Sequence, residues 1–292
     1  MKPKYTTKFS AYVPIIIGCN NFCSYCVVPY TRGPEISRPA GDIIKEVKSS
    51  VKQGYKEIWL LGENVNSYKN PKHQIPINFA NLLRMINDIP GDFWIRFTSS
   101  HPKDFSDELI KTIVKSKKIT PYISLPIQSG DNEILKKMNR PYTVRDYKNL
   151  VKKIREKIPN VTLSTDIIVG FPGETKKQFK NTIKLFKEIK FDMVYISQYS
   201  PRSGTIAYKM KDTVSHQEKE KRDKVLTEVL KKTALKNNKK YIGKIVEVLP
   251  ASPDSRASRG GPEYERKGWI IGKTREYKTI KFQILRGPTS LR

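Results

Sequence analysis

From Phe9 to Tyr199 two hydrophobic periods alternate along the chain. Short β-branched or aromatic runs recur as FSAYVPIII, EIWLL, WIRFTSS, PYISLPI, VTLSTDIIVG and FDMVYISQYS, and each reads as a strand. Between them lie segments with helical spacing. Ile43, Ile44, Val47 and Val51 form one apolar stripe, with Pro39 and Asp42 suited to its first turn. Phe179, Ile183 and Phe186 form another, opened by Glu174 and Thr175. Strand and helix alternate about six times, which predicts an α/β fold with a parallel sheet and right-handed crossovers. Six units are fewer than the eight of a closed TIM barrel, so the pattern predicts an open, partial (β/α)6 barrel. The polar loops that follow the strands then gather at the C-terminal edge of the sheet, where such folds place their chemistry.

After about Pro201 the pattern changes. HQEKEKRDKVLTEVLKKTALKNNKKYIG predicts a long basic helix with Val225, Leu226, Val229 and Leu230 as its apolar stripe. Strand-like pieces follow, KIVEVLP, GWIIGKT and KTIKFQIL, separated by the Gly/Ser/Pro-rich SPDSRASRGGPEYER. The expected organisation is an α/β core over residues 1–235 and a small, basic, all-β domain over 236–292. Its aromatics Tyr241, Trp269, Tyr277 and Phe282 suit an OB-like barrel that stacks RNA bases, and suit an ordinary core equally well.

Charge adds a partner class. The 292 residues carry a formal net charge of +28 with 10% aromatics, which points to a polyanion such as nucleic acid. Lysine used only to solvate the surface, as in Lys115 to Lys118, is the competing reading. No apolar run approaches the roughly 20 residues of a membrane helix, and MKPKYTTKFS lacks the apolar centre of a signal peptide. A cytoplasmic protein with reduced thiols, and no membrane partner, is expected.

All three cysteines lie in one short stretch, IIIGCNNFCSYCVVPYTRG, directly after the first strand. An odd count cannot pair completely, which disfavours a disulfide framework and makes metal or redox chemistry the better reading. Cys19, Cys23 and Cys26 have the spacing C-x3-C-x2-C. Zinc wants a fourth ligand and usually C-x2-C pairs, and the next histidine, His73, is about fifty residues away. Inert buried thiols do not suit the polar neighbours Asn20, Asn21, Ser24 and Tyr25. An iron–sulfur cluster fits best: four irons meeting three thiolates leave one iron open, a reactive site that a pure electron carrier would not need.

A C-x3-C-x2-C motif after the first strand of a partial barrel resembles the radical S-adenosylmethionine superfamily. The words GCNNFCSYCVVPYTRGPEISR, LLGENVNSY, RFTSSHP, LPIQSG, STDIIVGFPGET and YSPRSGTIA, in this order and each at a strand end, closely resemble the MiaB-type tRNA methylthiotransferases. The resemblance runs from about Phe9 to Phe282. It implies that residues 1–235 are a radical SAM core and 236–292 a TRAM domain that helps hold tRNA. It also implies one [4Fe-4S] cluster on Cys19, Cys23 and Cys26, with S-adenosylmethionine chelating the open iron. One-electron reduction would then yield a 5′-deoxyadenosyl radical. The implied reaction replaces the C2 hydrogen of N(6)-isopentenyladenosine, at position 37 in the tRNA anticodon loop, with a methylthio group. An external electron donor is implied as well. Related enzymes that act on threonylcarbamoyl-adenosine share the cysteine motif and remain the alternative.

The resemblance further suggests cofactor contacts. Glu63 and Asn64 follow the second strand, where a carboxylate would accept the cofactor's ammonium; a solvated loop carboxylate is the bland reading. Ser99, Gln128 and Ser129 end the third and fourth strands and suit ribose or carboxylate contacts. Gly170, Pro172 and Gly173 in VGFPGE allow a close approach of adenine, or only a tight turn. Arg32 and Arg38 flank the cluster loop as phosphate or carboxylate grips, or as ordinary surface arginines.

Two features depart from the family. Full-length members carry an N-terminal domain whose three further cysteines hold an auxiliary [4Fe-4S] cluster for sulfur delivery. Here about eighteen residues precede the cysteine motif and no cysteine is spare, so the auxiliary site is absent from this chain. Second, PASPDSRASRGGPEYERKG is an unusual loop, and the sequence stops soon after QILRG, short of a complete TRAM barrel. The expectation is a fragment, a split gene's second half, or a product that needs a separate subunit. A tRNA-binding piece without full catalytic competence is the non-enzyme alternative.

Overall fold

A computed structural model describes residues 9–70, 76–250 and 269–283. Six parallel strands form its centre: β1 Ser10–Pro14, β2 Glu57–Leu61, β3 Trp94–Phe97, β4 Tyr122–Ser124, β5 Thr162–Val169 and β6 Met193–Gln198. β1, β2 and β3 pair in that order, as do β4, β5 and β6, and a parallel bridge between Ile95 and Ile119 links the two halves. Spatial order therefore follows chain order, as consecutive right-handed crossovers produce. Among the described residues no ladder joins β6 back to β1, so the barrel stays open, as the count of units predicted.

The burial of each strand follows from its place. β2, β3 and β4 are buried along almost their whole length, hence their mostly apolar runs, interrupted by Glu57, Arg96 and Ser124. The edge strands β1 and β6 alternate, and they leave Tyr12 and Tyr195 exposed. On the outer face Ala11, Val13, Ile58, Leu60 and Ile95 join one core with the surrounding helices.

Those helices are α1 Ala40–Lys52, α2 Phe79–Asn87, α3 Asp107–Lys115, α4 Asn132–Lys137, α5 Val144–Lys157, α6 Lys176–Ile189 and α7 His216–Lys239. Local chemistry sets their starts. Pro39 precedes α1 with Asp42 in its first turn, and Thr175 caps α6 in a reciprocal box with Gln178. In α7 the predicted stripe packs inward, with Leu226 fully buried and Val225 and Val229 against the core.

β7 Val248–Pro250, β8 Trp269–Thr274 and β9 Thr279–Gln283 form an antiparallel sheet in chain order. The first is shorter than KIVEVLP suggests. Only Val248–Pro250 find partners on β8, and Ile245 stands fully in solvent. α7 runs across position 235, where the sequence places the domain division. The loop expected to be unusual, the end of the chain after Gln283, and His73 lie outside the described residues.

The turn between β8 and β9 reaches the N-terminal end of the barrel. There Arg96 pairs with Glu57 and donates to the carbonyl oxygens of Thr274 (2.7 Å) and Arg275 (2.8 Å) and to Thr120 Oγ1 (3.0 Å). Ser10 and Trp59 Nε1 donate to the second Glu57 oxygen, at 2.7 and 2.8 Å. The Tyr277 ring packs against Trp59 and Tyr122, with centroids 5.3 and 4.5 Å away. Lys278 Nζ reaches Asp192 Oδ1 at 2.7 Å. The turn thus plugs the N-terminal end of the barrel. Tyr277, expected either to stack on RNA or to serve as core, is thus held in packing.

Candidate functional site

The cysteine loop leaves β1 through a short ribbon, Ile16–Ile17 against Ile36–Ser37, and turns at Gly18. Gly18 has φ +78°, and a Cβ there would lie 2.2 Å from the Pro34 carbonyl oxygen, so only glycine fits this turn. Beyond it the loop is fastened to the far side of the barrel. Ser24 Oγ donates to the Lys137 carbonyl at 2.7 Å, Asn139 Nδ2 donates to that of Phe22 at 3.0 Å, and the Ala207 amide donates to that of Ser24 at 2.7 Å. The Cys26 amide donates to the Cys23 carbonyl at 2.9 Å, which folds the loop back on itself.

All three cysteines line a cavity of about 220 Å³ at the C-terminal ends of the strands. Cys23 is buried, while Cys19 and Cys26 are half-buried. Two side chains donate to sulfur: Asn21 Nδ2 to Cys19 Sγ and Arg140 Nη1 to Cys23 Sγ, each at 3.4 Å. Burial pushes the Cys19 and Cys26 thiols up from their ordinary range. Three sulfurs lining one cavity, two of them already accepting N–H donors, fit a cubane that takes each thiolate on a different iron.

Of the other expected residues, Glu63, Ser99 and Gln128 line this cavity. Ser99 and Gln128 hold left-handed backbone, φ 61° and 76°, a costly conformation that tends to collect at working sites. Asn64 borders a larger neighbouring cavity of about 900 Å³ and donates to Asp104 Oδ2 at 2.8 Å. Ser129 is buried in the turn before α4, where Oγ accepts from the Asp131 amide. Gly170 and Gly173 both have positive φ, but neither lines the cysteine cavity. The Gly170 amide donates to Glu174 Oε2, and its α-carbon faces the Lys219 side chain. Gly173 borders a separate hollow beside Arg222. Arg38 is tied to Glu46 and the Pro14 carbonyl, and Arg32 is exposed.

The same cavity holds residues that the sequence did not single out: Ser100, His101, Arg140 and Asp166. Burial, helped by the charges of Arg140 and Lys103, pushes the His101 imidazole down to about 2, so it is neutral. Its Nδ1 accepts from the Lys103 amide (3.3 Å), which leaves Nε2 as the donor, and that atom is buried without a partner. Ser100 Oγ and Asn64 Oδ1 are orphaned in the same way. Burial raises the Asp166 carboxyl, against the pull of Arg140. Three unpaired buried polar atoms on the loops after β2 and β3 mark a surface built to meet a polar ligand such as S-adenosylmethionine.

Comparison with known proteins agrees with this geometry. The family model described as the Radical SAM superfamily matches residues 13–186. A tRNA-2-methylthio-N(6)-dimethylallyladenosine synthase from Clostridium tetani is 48% identical over 282 residues, covering 96% of this chain and 59% of the relative. The protein of that name from Alkaliphilus oremlandii is 45% identical, covering 96% and 57%. The chain thus spans under three-fifths of the length of these curated relatives. Among solved structures, coproporphyrinogen III oxidase (HemN) from Escherichia coli superposes with TM-score 0.57 at 16% identity, covering 78% of this chain and 54% of that one. The radical S-adenosylmethionine methyltransferase TsrM from Kitasatospora setae gives 0.57 at 19%, covering 69% and 38%. These structural likenesses show the fold.

Proposed function

The chain belongs to the radical SAM superfamily, and from that premise we propose that it is the radical-generating and RNA-holding part of a tRNA methylthiotransferase. Its target would be N(6)-isopentenyladenosine in the anticodon loop, converted to the 2-methylthio derivative. The observation that carries this reading is the cysteine cavity itself: three thiols at the open end of a parallel barrel, with Ser100 Oγ and His101 Nε2 of its lining residues buried without partners. The names of the relatives favour the isopentenyl substrate over threonylcarbamoyl-adenosine.

Cys19, Cys23 and Cys26 would hold the [4Fe-4S] cluster. When bound, the cluster with S-adenosylmethionine supplies a carbon radical able to take hydrogen from an unactivated C–H bond. The protein's part is to bind, orient and shield. Glu63 offers a carboxylate for the ammonium of the cofactor, and Ser99 and Gln128 present their side chains from strained backbone. His101 offers a neutral N–H. The plug of Arg96, Glu57 and Tyr277 fills the opposite end of the barrel.

Methylthiolation also needs sulfur. All three cysteines of this chain lie in the cavity, which leaves none to carry a sulfur-donating cluster. We infer that sulfur comes from outside the chain, from a separate subunit or an N-terminal domain with the auxiliary cluster, and that an electron donor serves the site. We assign residues 1–235 to the radical SAM core and 236–292 to a TRAM-like, RNA-binding domain, with α7 running across the division. With tRNA as substrate, the place of work is the cytoplasm; no described helix is long and apolar enough to cross a membrane.

The test is anaerobic cluster reconstitution followed by incubation with isopentenylated tRNA, S-adenosylmethionine and a reductant. The expected products are 5′-deoxyadenosine from the chain alone and methylthiolated tRNA only when a sulfur-carrying partner is added. Failure to form 5′-deoxyadenosine would overturn the reading, and nucleoside mass spectrometry would expose a different modified base.

A further inference from the structure

We propose that Arg140 is a positioning residue for the cluster: it fixes the Cys23 sulfur and sets the cluster's reduction potential through a charged hydrogen bond. This rests on the cluster assignment above. Arg140 follows α4 and is only 8% exposed. Three of its nitrogens have different partners. Nε donates to the Tyr142 hydroxyl at 2.6 Å, Nη2 to the Pro126 carbonyl at 2.8 Å, and Nη1 to Cys23 Sγ at 3.4 Å. The Tyr142 ring also lies under the guanidinium, 5.1 Å from its central carbon. A planar fork bound at three points cannot swing away from the sulfur.

The charge is the second observation. Arg140 shares the cysteine cavity with Asp166, whose carboxyl feels its pull, and packs among the phenols of Tyr25 and Tyr142 and the thiol of Cys23. A cubane held by three thiolates carries net negative charge, so loading the cluster would place further anionic charge beside the guanidinium. Reduction then adds one electron from the donor, and one more negative charge, beside the guanidinium. Both the charge and the N–H···S bond stabilise the reduced state more than the oxidised one, and both are recognised means of tuning such clusters.

Arg140→Gln and Arg140→Lys variants would be reconstituted anaerobically and titrated by electron paramagnetic resonance without S-adenosylmethionine. Leaving the cofactor out isolates the effect on the cluster from any contact between Arg140 and the cofactor's carboxylate. With iron content matched, Arg140→Gln should lower the reduced-to-oxidised ratio at fixed potential about tenfold, a fall of about 59 mV for a one-electron couple. Arg140→Lys keeps the charge, loses the fork, and should fall between Arg140→Gln and the parent. If Arg140→Gln does not load, the comparison of Arg140→Lys with the parent decides. Unchanged potentials in the loaded variants would overturn the inference and leave the cluster assignment standing. A parent chain that takes up no iron would instead defeat the assignment on which it rests.

Discussion

The two ends of the barrel solve opposite problems. At the N-terminal end, buried charge is fully matched: Arg96 meets Glu57, Thr120 and two carbonyls of the β8–β9 turn, and Glu57 also accepts from Ser10 and Trp59. Two hydroxyls, Thr162 Oγ1 and Tyr241 Oη, are buried without partners there, and burial pushes the Tyr241 phenol up to about 12. At the C-terminal end, Asn64, Ser100 and His101 each hold a buried polar atom with no partner, and Arg140 donates to a sulfur where Arg96 has a carboxylate. Unmatched polar groups cost stability, and two of these line the cavity that holds the cysteines, which marks it as a working surface.

That contrast predicts a graded set of responses. The largest belongs to the closed end. Arg96→Leu leaves Glu57 buried without its counter-charge, and should cost about 3–5 kcal/mol, read by denaturant unfolding. A loss under about 1 kcal/mol would mean that the plug is incidental. Tyr277→Ala opens the plug without stranding a charge, so about 2 kcal/mol is expected in the same assay. Full retention of stability would show that the turn does not stay docked.

At the open end the effects on stability are smaller and depend on pH. The folded-state pKa of His101, about 2, lies below the ordinary histidine value. The unfolded chain therefore binds the extra proton between those values, and stability falls as pH drops below about 6.5. The slope from this group is at most about 1.4 kcal/mol per pH unit. His101→Gln should lose that part of the acid sensitivity, and an unchanged profile from pH 7 to 4.5 would show the imidazole free to titrate. Smallest of all, Cys19→Ser should alter apo-protein stability by about 0.5 kcal/mol or less, yet abolish cluster loading as measured by iron content.

Much of the barrel was readable in advance because parallel strands buried on both faces are mostly apolar, as EIWLL and WIRF are apart from the paired Glu57 and Arg96. The cysteine trio was readable because its ligands are local, all on one loop. The plug was not: Arg96 meets carbonyls 178 and 179 residues away, and no local pattern encodes that contact. Arg140 and His101 were equally hidden. Each sits in a loop whose neighbours in sequence give no spacing signal, and only the convergence of strand ends brings them to Cys23 and Ser99. VGFPGE announced its turn correctly, but a turn motif does not say which cavity it borders. The division at 235 falls inside α7, where lysines and asparagines continue the helix to Lys239 without a breaking residue.

The most direct test of the open end is spectroscopy of the anaerobically reconstituted chain, before and after S-adenosylmethionine is added. About four irons per chain are expected, with the reduced cluster's paramagnetic signal changing shape when the cofactor binds the open iron. A signal indifferent to S-adenosylmethionine, or zinc in place of iron, would contradict a radical centre on Cys19, Cys23 and Cys26.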